Sequence, residues 1–269
     1  MSIRVTSFAS GSSGNALLVR TPGAAFLVDC GIPQRTLERF LARDGLCPAD
    51  LSAILLTHEH GDHTQCAGPF ARRHGLPIIA NRPTLDALGV ALDGVATREI
   101  GVGSGALLGD CAITSFRVSH DAAAPVGYTL RAGGWTVGVA IDLGCWDDEV
   151  VHGLSCADLI VLEANHDREK LHAAPYTWPI KQRIFGALGH LDNVDAGSLL
   201  ARLACDGRKR TAWLAHLSEQ ANSPGLATRV VQNVLSLAGA RPVTVAALPR
   251  RTPMCWDSDT HLAQLSLFD

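Results

Sequence analysis

Three histidines and an aspartate stand within residues 58–63, directly after an uncharged apolar stretch. They are His58, His60, Asp62 and His63. Neutral imidazole and carboxylate groups are ligands that zinc, manganese and iron accept, and a tight turn can direct alternate side chains to two different ions. A polar surface loop is the plainer alternative, but it does not explain so dense a set. The cluster therefore predicts a metallohydrolase.

One cluster cannot complete two coordination spheres, and the rest of the chain offers three further candidates. His120, Asp142 and His216 each follow an apolar stretch that reads as a strand. Singly, each histidine would be an ordinary hydrogen-bonded residue and Asp142 a turn cap. Their shared position at strand ends makes them candidate ligands.

Composition limits the class of protein. A chain of 269 residues with 47% hydrophobic residues can bury a substantial core. A net charge of -3 argues against a generally basic nucleic-acid coat, although a local basic groove is compatible with it. No long apolar run or signal-like N-terminus appears, so we expect a cytoplasmic protein that does not enter a membrane. The eight cysteines form no C-x-x-C pair and suggest neither a zinc knuckle nor a disulfide framework.

Hydrophobic periodicity predicts short strands first and then strands that alternate with helices. We expect strands at 3–8, 16–20, 25–28, 53–56, 77–80, 111–118, 127–131, 135–141, 159–163, 211–215 and 242–247, and helices at 34–43, 68–74, 83–88, 178–188, 194–204 and 226–237. The continuous apolar run 53–56 is typical of a strand buried on both faces, and it delivers the histidine cluster at its carboxyl end. Without repeats or a long linker, this order favours one α/β domain over 1–249, in which two sheets lie between helices, and a flexible tail over 250–269.

The cluster together with the three later candidates resembles the metallo-β-lactamase superfamily. The resemblance implies a four-layer αββα sandwich that holds two divalent ions, zinc or manganese. It places one ion on His58, His60 and His120, the other on Asp62, His63 and His216, with Asp142 as the bridge. It further implies that Asp62 is the general base and that Asp29 orients a ligand histidine or the turn beneath it. A purely structural turn aspartate is the alternative for Asp29.

A narrower resemblance, to the YycJ/WalJ group of nucleases with this fold, runs to about Ala247. It is carried by the segments 10–15, 119–122, 163–167, 189–193 and 216–218. Two of them are also similar to ribonuclease Z, which implies that Glu163 orients His190 and that His190 acts on the departing oxygen of a phosphodiester. A helix-capping His190 is the alternative. The group commonly has serine at the position of Asp192. The carboxylate adds negative charge beside His190 and therefore affects the role that the resemblance implies for His190.

Two sets of residues are candidates for contact with phosphate or nucleic acid. Ser12, Ser13 and Asn15 lie in a glycine-punctuated loop whose amides and hydroxyls can bind phosphate oxygens, although a plain β-turn is an equal alternative. Lys181 and Arg183 are close in sequence to His190, although such residues are usually solvated.

The end of the chain is similar to the short peptide by which bacterial DNA-processing proteins bind the replication sliding clamp. Gln264 offers an amide, and Leu265, Leu267 and Phe268 offer apolar anchors for a pocket. The alternative is that these side chains fold back onto the domain.

The residues and resemblances together favour a metal-dependent phosphodiesterase. Its substrate would be DNA, cut exonucleolytically from 5′ ends as the resemblance implies, in replication or repair. Two other functions remain open: hydrolysis of a small ester, lactone or cyclic phosphate on the same ions, and a non-enzymatic clamp-binding module.

Overall fold

The computed structural model describes residues 2–240 and 243–260 of the chain. In these ranges the strands are β1 (Arg4–Ala9), β2 (Ala16–Arg20), β3 (Ala25–Val28), β4 (Ala53–Leu55), β5 (Ile78–Ala80), β6 (Thr97–Glu99), β7 (Gly105–Leu108), β8 (Cys111–Arg117), β9 (Val126–Ala132), β10 (Trp135–Ala140), β11 (Leu159–Glu163), β12 (Arg210–Ala215), β13 (Val243–Ala247) and β14 (Met254–Asp257). The helices are α1 (Gln34–Arg43), α2 (Gly61–Thr64), α3 (Ala67–His74), α4 (Arg82–Leu88), α5 (Asp148–Leu154), α6 (Arg168–Ala173), α7 (Trp178–Phe185), α8 (Asn193–Leu203) and α9 (Pro224–Leu237).

The strands form two seven-stranded sheets with related topologies. The first sheet has the order β14-β1-β2-β3-β4-β5-β6 and the second the order β13-β12-β11-β10-β9-β8-β7. In each sheet four neighbouring strands are parallel, β3 to β6 in the first and β10 to β13 in the second. Carboxyl ends of parallel strands meet at one edge of a sheet, where ligands commonly bind.

Three apolar layers hold the sandwich together. The central one lies between the sheets and contains Phe26, Tyr128 and Trp213, each at most 1% exposed. The outer layers are formed by helices, with α1 and α3 on the first sheet and α5, α8 and α9 on the second. The expected four-layer αββα sandwich is therefore confirmed.

Helix α1 shows how sequence produces this layering. Its apolar residues Leu37, Phe40 and Leu41 follow helical spacing and are buried against the first sheet, while charged residues between them face solvent. The helix has the predicted bounds and is followed by Gly45, whose φ is 78°.

The expected start of the tail at residue 250 is wrong. Strand β14 pairs antiparallel with β1, Trp256 is 7% exposed, and the buried hydroxyl of Ser258 accepts a hydrogen bond from the amide of Ile3 at 3.0 Å. This short segment completes an otherwise open edge of the first sheet. Packing therefore continues at least to Ser258, and the sandwich includes residues that had been assigned to the tail.

Several short elements were not predicted. Strand β6 is exposed at every position and β7 begins at a glycine, so neither shows an alternating apolar pattern. None of the helices in the described residues is long and apolar enough to cross a membrane.

Candidate metal centre

The candidate ligands gather where strands of both sheets end. His58 follows β4 closely, Asp142 lies two residues after β10, and His216 comes directly after β12. His120 follows β8, and Asp62 and His63 lie on the short helix α2. The two sheets therefore contribute side chains to one site from opposite sides.

The seven side chains form two neighbouring groups, as the resemblance implied. Ligand atoms of the first group lie within 4.8 Å of one another, and so do those of the second. The first group is His58, His60 and His120, and the second is Asp62, His63, Asp142 and His216.

Asp142 lies between the groups. Its Oδ2 is 2.7 Å from Nε2 of His63 in the second group and 3.4 Å from Nε2 of His58 in the first. Its Oδ1 is 2.8 Å from Nδ1 of His216. A carboxylate in this position can supply an oxygen to each of two ions.

The candidate ligand histidines are held from behind by hydrogen bonds to Nδ1. Nδ1 of His63 donates to Oδ2 of Asp29 at 2.7 Å. Nδ1 of His58 lies 3.0 Å from the hydroxyl of Thr57, which itself donates to Asp29 at 2.9 Å. Such partners fix the ring and leave Nε2 as the ligand atom. Asp29 therefore holds both the ring of His63 and, through Thr57, the turn after β4.

The remaining two buried ligand histidines have equivalent partners. Nδ1 of His120 donates to the carbonyl of Gly189 at 2.9 Å, and Nδ1 of His216 lies 2.8 Å from Oε1 of Glu163. Nε2 of His216 in turn lies 3.3 Å from Oδ2 of Asp62. The contact between Glu163 and His216 was not predicted, because sequence placed Glu163 beside His190 alone.

Glu163 and His190 form the expected pair. Nδ1 of His190 lies 2.8 Å from Oε1 of Glu163 and 3.2 Å from Oδ1 of Asp142. The other oxygen of Glu163 accepts hydrogen bonds from the amides of Leu143 and Leu191 at 2.9 and 3.2 Å. The fully buried carboxylate therefore joins the loops that carry Asp142 and His190.

The donors fit divalent cations. Nε2 of His58 is buried and has no hydrogen-bond partner among the described residues, as expected of a ligand atom. Burial and the neighbouring His63 hold the pKa of His58 well below its usual value, which keeps the ring neutral for coordination. An imidazole and carboxylate set without thiolate suits zinc, manganese or iron.

The electrostatics of the second group also favour a cation. Burial lowers the pKa of His63, but Asp29 and Asp142 outweigh burial and raise that pKa to about 10. His190 behaves in the same way, since Glu163 and Asp142 overcome the effect of burial and raise its pKa to about 9. The carboxylate field that stabilises protons on these rings also attracts divalent ions.

Three site residues have a strained backbone. Asp29, Asp142 and His216 have φ values of 63°, 57° and 54°, and they are the non-glycine residues with positive φ among those described. Each follows the end of a parallel strand in its sheet. A left-handed conformation costs an L-residue about 1–2 kcal/mol, and such strain concentrates at functional sites.

A cleft of about 260 Å³ opens over both groups. Its lining includes Asp62, His190 and His216 from the metal centre, with Ser12 and Arg183 at its sides. Arg183 is 58% exposed and pairs with both carboxylate oxygens of Asp121. Ser12 and Arg183 therefore lie beside the site, and their contact with phosphate or nucleic acid stays a prediction.

Three other candidate contacts lie elsewhere. Asn15 is 2% exposed, its Oδ1 accepts from the amide of Gly11 at 2.9 Å, and it does not line the cleft. Its Nδ2 lies 3.0 Å from Nε2 of His63, next to the second group of candidate ligands. Lys181 donates to the carbonyl of His172 and does not line the cleft. Ser13 faces a separate pocket. Exposure within a loop cannot be read from its glycines and serines alone.

Comparisons with known proteins agree with this geometry. The family model of the metallo-beta-lactamase superfamily matches residues 9–158. Exodeoxyribonuclease YycJ of Bacillus anthracis is 36% identical over 242 residues, which cover 89% of this chain and 91% of that protein. Exodeoxyribonuclease WalJ of Streptococcus pneumoniae is 36% identical over 235 residues, 86% of this chain and 87% of that protein.

Solved structures share the architecture. The metallo-beta-lactamase fold protein YhfI of Bacillus subtilis superposes with a TM-score of 0.73 at 20% identity, over 96% of this chain and 100% of that one. At this identity the likeness shows the fold alone, whereas the two exodeoxyribonucleases extend the relationship to sequence. The chain therefore belongs to the metallo-beta-lactamase superfamily, in the family of YycJ and WalJ, and is a metal-dependent hydrolase.

Proposed function

We propose that the protein is a DNA exonuclease that uses two divalent ions, zinc or manganese, and degrades strands from their 5′ ends. The observation that carries the proposal is the Glu163–His190 pair at 2.8 Å beside the two ligand groups. The names of the two curated relatives support DNA as the substrate. Replication or repair is the process in which such an activity belongs.

The residues divide the chemistry among them. Ions in the two groups would supply Lewis acidity to the phosphodiester and to the attacking water. Asp62 is 26% exposed in its side chain and faces the cleft, so its carboxylate accepts the proton of that water. His190 is held by Glu163 through Nδ1, which leaves Nε2 to donate a proton to the departing oxygen.

The test is hydrolysis of DNA by His190→Ala in metal-replete protein. Loss of a general acid typically lowers the rate by about 10²–10⁴-fold, while both ligand groups remain intact. The metal content of parent and variant is measured by inductively coupled plasma mass spectrometry. Asp62→Ala serves as an inactive reference. Unchanged turnover in His190→Ala would remove this residue from the reaction.

The nucleic-acid substrate and the direction of cutting need a separate assay. Single- and double-stranded DNA and RNA, each labelled at the 5′ or the 3′ end, are incubated with protein loaded with manganese or zinc. The proposal expects the 5′ label to appear first as a mononucleotide from DNA. Early internal fragments would contradict exonucleolytic cutting, and a preference for RNA would contradict the substrate.

Clamp binding remains a proposal that rests on the sequence alone. Gln264, Leu265, Leu267 and Phe268 lie outside the described residues. A peptide of the last ten residues should bind a bacterial sliding clamp, with a known clamp peptide as the positive control. Absence of binding at high micromolar peptide, where the control binds, would reject this partner.

A further inference from the structure

We propose that a second pocket, beside the catalytic cleft, binds the phosphodiester backbone of the nucleic-acid strand that lies in the cleft. This arginine pocket has a volume of about 390 Å³, and its lining includes Ser13, Arg39, Phe40, Arg250 and Arg251. The inference deepens the proposed nuclease function and rests on it.

The pocket is positively charged. Its lining contains three arginines and no acidic residue, in a chain whose net charge is -3. Among the described residues Arg39 and Arg251 are exposed and have no acidic partner; the guanidinium of Arg39 lies 5.3 Å from the ring centroid of Phe40. Two uncompensated guanidinium groups in one recess favour a polyanion.

The charge continues along helix α1. Arg35 and Arg43 stand four residues before and after Arg39, so the three lie on one face of the helix. All three are exposed, while the opposite face packs Leu37 and Leu41 into the core. A row of this kind matches an extended phosphate backbone better than a single small anion.

A single loop separates this pocket from the cleft. Ser12 lines the catalytic cleft, and the next residue, Ser13, lines the arginine pocket. Arg250 crosses behind the loop and donates to the carbonyl of Leu217, the residue after the ligand His216, at 3.3 Å. Its other nitrogen pairs with Glu219 at 2.8 Å. A strand that leaves the metal centre past Ser12 therefore meets Arg39 and Arg251 next.

The chemistry of the side chains suits this role. The planar guanidinium group presents donors in a fork that matches the oxygens of a phosphate. Such contacts recognise the backbone and carry no sequence information, as a degradative exonuclease requires. They also make binding depend on salt, since each neutralised phosphate releases counterions.

The test compares two double variants. Arg39→Gln/Arg251→Gln removes the two unpaired charges of the pocket, while Arg202→Gln/Arg229→Gln removes two exposed arginines from α8 and α9 on the opposite outer layer. Binding of a phosphorothioate single strand of about 20 nucleotides, which resists hydrolysis, is measured by fluorescence anisotropy over a series of salt concentrations. Thermal unfolding checks that both variants fold like the parent.

The pocket variant should bind more weakly at low salt, and the slope of log Kd against log salt should fall by about 1.4, since each single-strand phosphate contact contributes about 0.7. The control variant should keep the parent slope. Equal slopes for the two double variants would overturn the inference. So would a weakening that is as large for a dinucleotide as for the long strand, because a dinucleotide in the cleft does not extend into the pocket.

Binding and cleavage are measured separately, which distinguishes the two proposals. Binding of the strand through the arginines without cleavage of any nucleic acid would contradict the proposed nuclease and leave the pocket supported. Cleavage of DNA, together with binding that the pocket substitutions do not change, would support the nuclease and contradict the pocket.

Discussion

The carboxylate of Glu163 contacts two imidazoles and two backbone amides, although it is fully buried. One oxygen faces both His190 and the ligand His216, so a substitution of Glu163 disturbs proton transfer and metal binding together. His190 is not one of the seven candidate ligands, although its Nδ1 lies 3.2 Å from Oδ1 of Asp142. Replacement of His190 is therefore the variant that separates the two effects.

Asp29→Asn should weaken metal binding by about 10–100-fold, since the substitution removes the carboxylate that holds Nδ1 of His63. The affinity is measured by competition with a chromophoric chelator. Excess metal should restore most of the activity. Asp86→Asn, on the exposed side of α4, is the matched control, and an Asp29→Asn affinity equal to that of the parent would exclude an orienting role.

His166 makes a pH-dependent contribution to stability. It is 1% exposed, packs edge-on against Phe185, and burial lowers its pKa to about 4. Below the unfolded value near 6.5 the unfolded chain takes up a proton that the folded chain does not. Folding is therefore destabilised as the pH falls from about 6.5 towards 4.

His166→Leu should remove this acid sensitivity. Between pH 7 and pH 5 the parent should lose about 2 kcal/mol more of its free energy of unfolding than the variant. Urea unfolding at the two pH values measures the difference. Equal losses would show that His166 does not titrate on unfolding.

The metal ligands were the most predictable residues, because side chains of ligand type at strand ends are visible in the sequence. Asn15 and Lys181 were less so. Their hydrogen bonds with Gly11 and His172 depend on loop packing that no local pattern encodes. The same limit concealed the contact of Glu163 with His216, which lies 53 residues further along the chain.

At the scale of elements, the loop before β2 and the segment after β3 pack against the short helix α2 at the site. The amide of Asn15 donates to the carbonyl of Asp62 at 2.8 Å, and the amide of Cys30 donates to the carbonyl of His63 at 2.7 Å. Gly31 lies so close that a Cβ on it would be 1.7 Å from the carbonyl oxygen of Asp62. Backbone contact therefore sets the position of α2.

Gly31→Ala should displace α2 and its two ligands. We expect a loss of about 3 kcal/mol in the free energy of unfolding, together with weaker metal binding. Gly225→Ala is the control, since a Cβ there meets no atom within 4 Å and the residue is helical, so it should stabilise the protein by up to about 1 kcal/mol. Thermal unfolding and metal titration of both variants check these outcomes. Retained metal affinity in Gly31→Ala would show that α2 tolerates the shift.

Long periodic elements were predictable and short irregular ones were not. Helix α1 has its predicted bounds, because its apolar residues repeat at helical spacing over ten residues. Helix α6 has six residues and one buried side chain, Leu171, so it offers no period to detect. Such elements depend on the tertiary packing around them.

At the scale of the molecule, β14 joins the last described part of the chain to the first strand. Trp256 packs edge-on against Trp135 of the second sheet, with ring centroids 5.7 Å apart. Residues near the two ends of the chain therefore stabilise the same face of the sandwich. The sequence does not predict β14, because its four residues after Pro253 are too few to show an alternation of apolar and polar side chains.

Trp256→Ala should lower the free energy of unfolding by about 3 kcal/mol, as expected for a large buried aromatic side chain. Trp178→Ala provides the same substitution on a side chain that is 57% exposed and should cost less than about 1 kcal/mol. Chemical denaturation of both variants measures the difference. Equal effects would show that β14 contributes little to the folded state.

The left-handed backbone at Asp29, Asp142 and His216 is strained at three positions whose side chains build the site. Glycine would relax the chain at each position, yet it would remove the side chain that the site requires. At residue 29 glycine would also leave the amide and hydroxyl of Thr57 and Nδ1 of His63 without the carboxylate that accepts from them, so the lost hydrogen bonds would outweigh the relief of strain. Selection for stability alone should therefore not enrich glycine at residue 29.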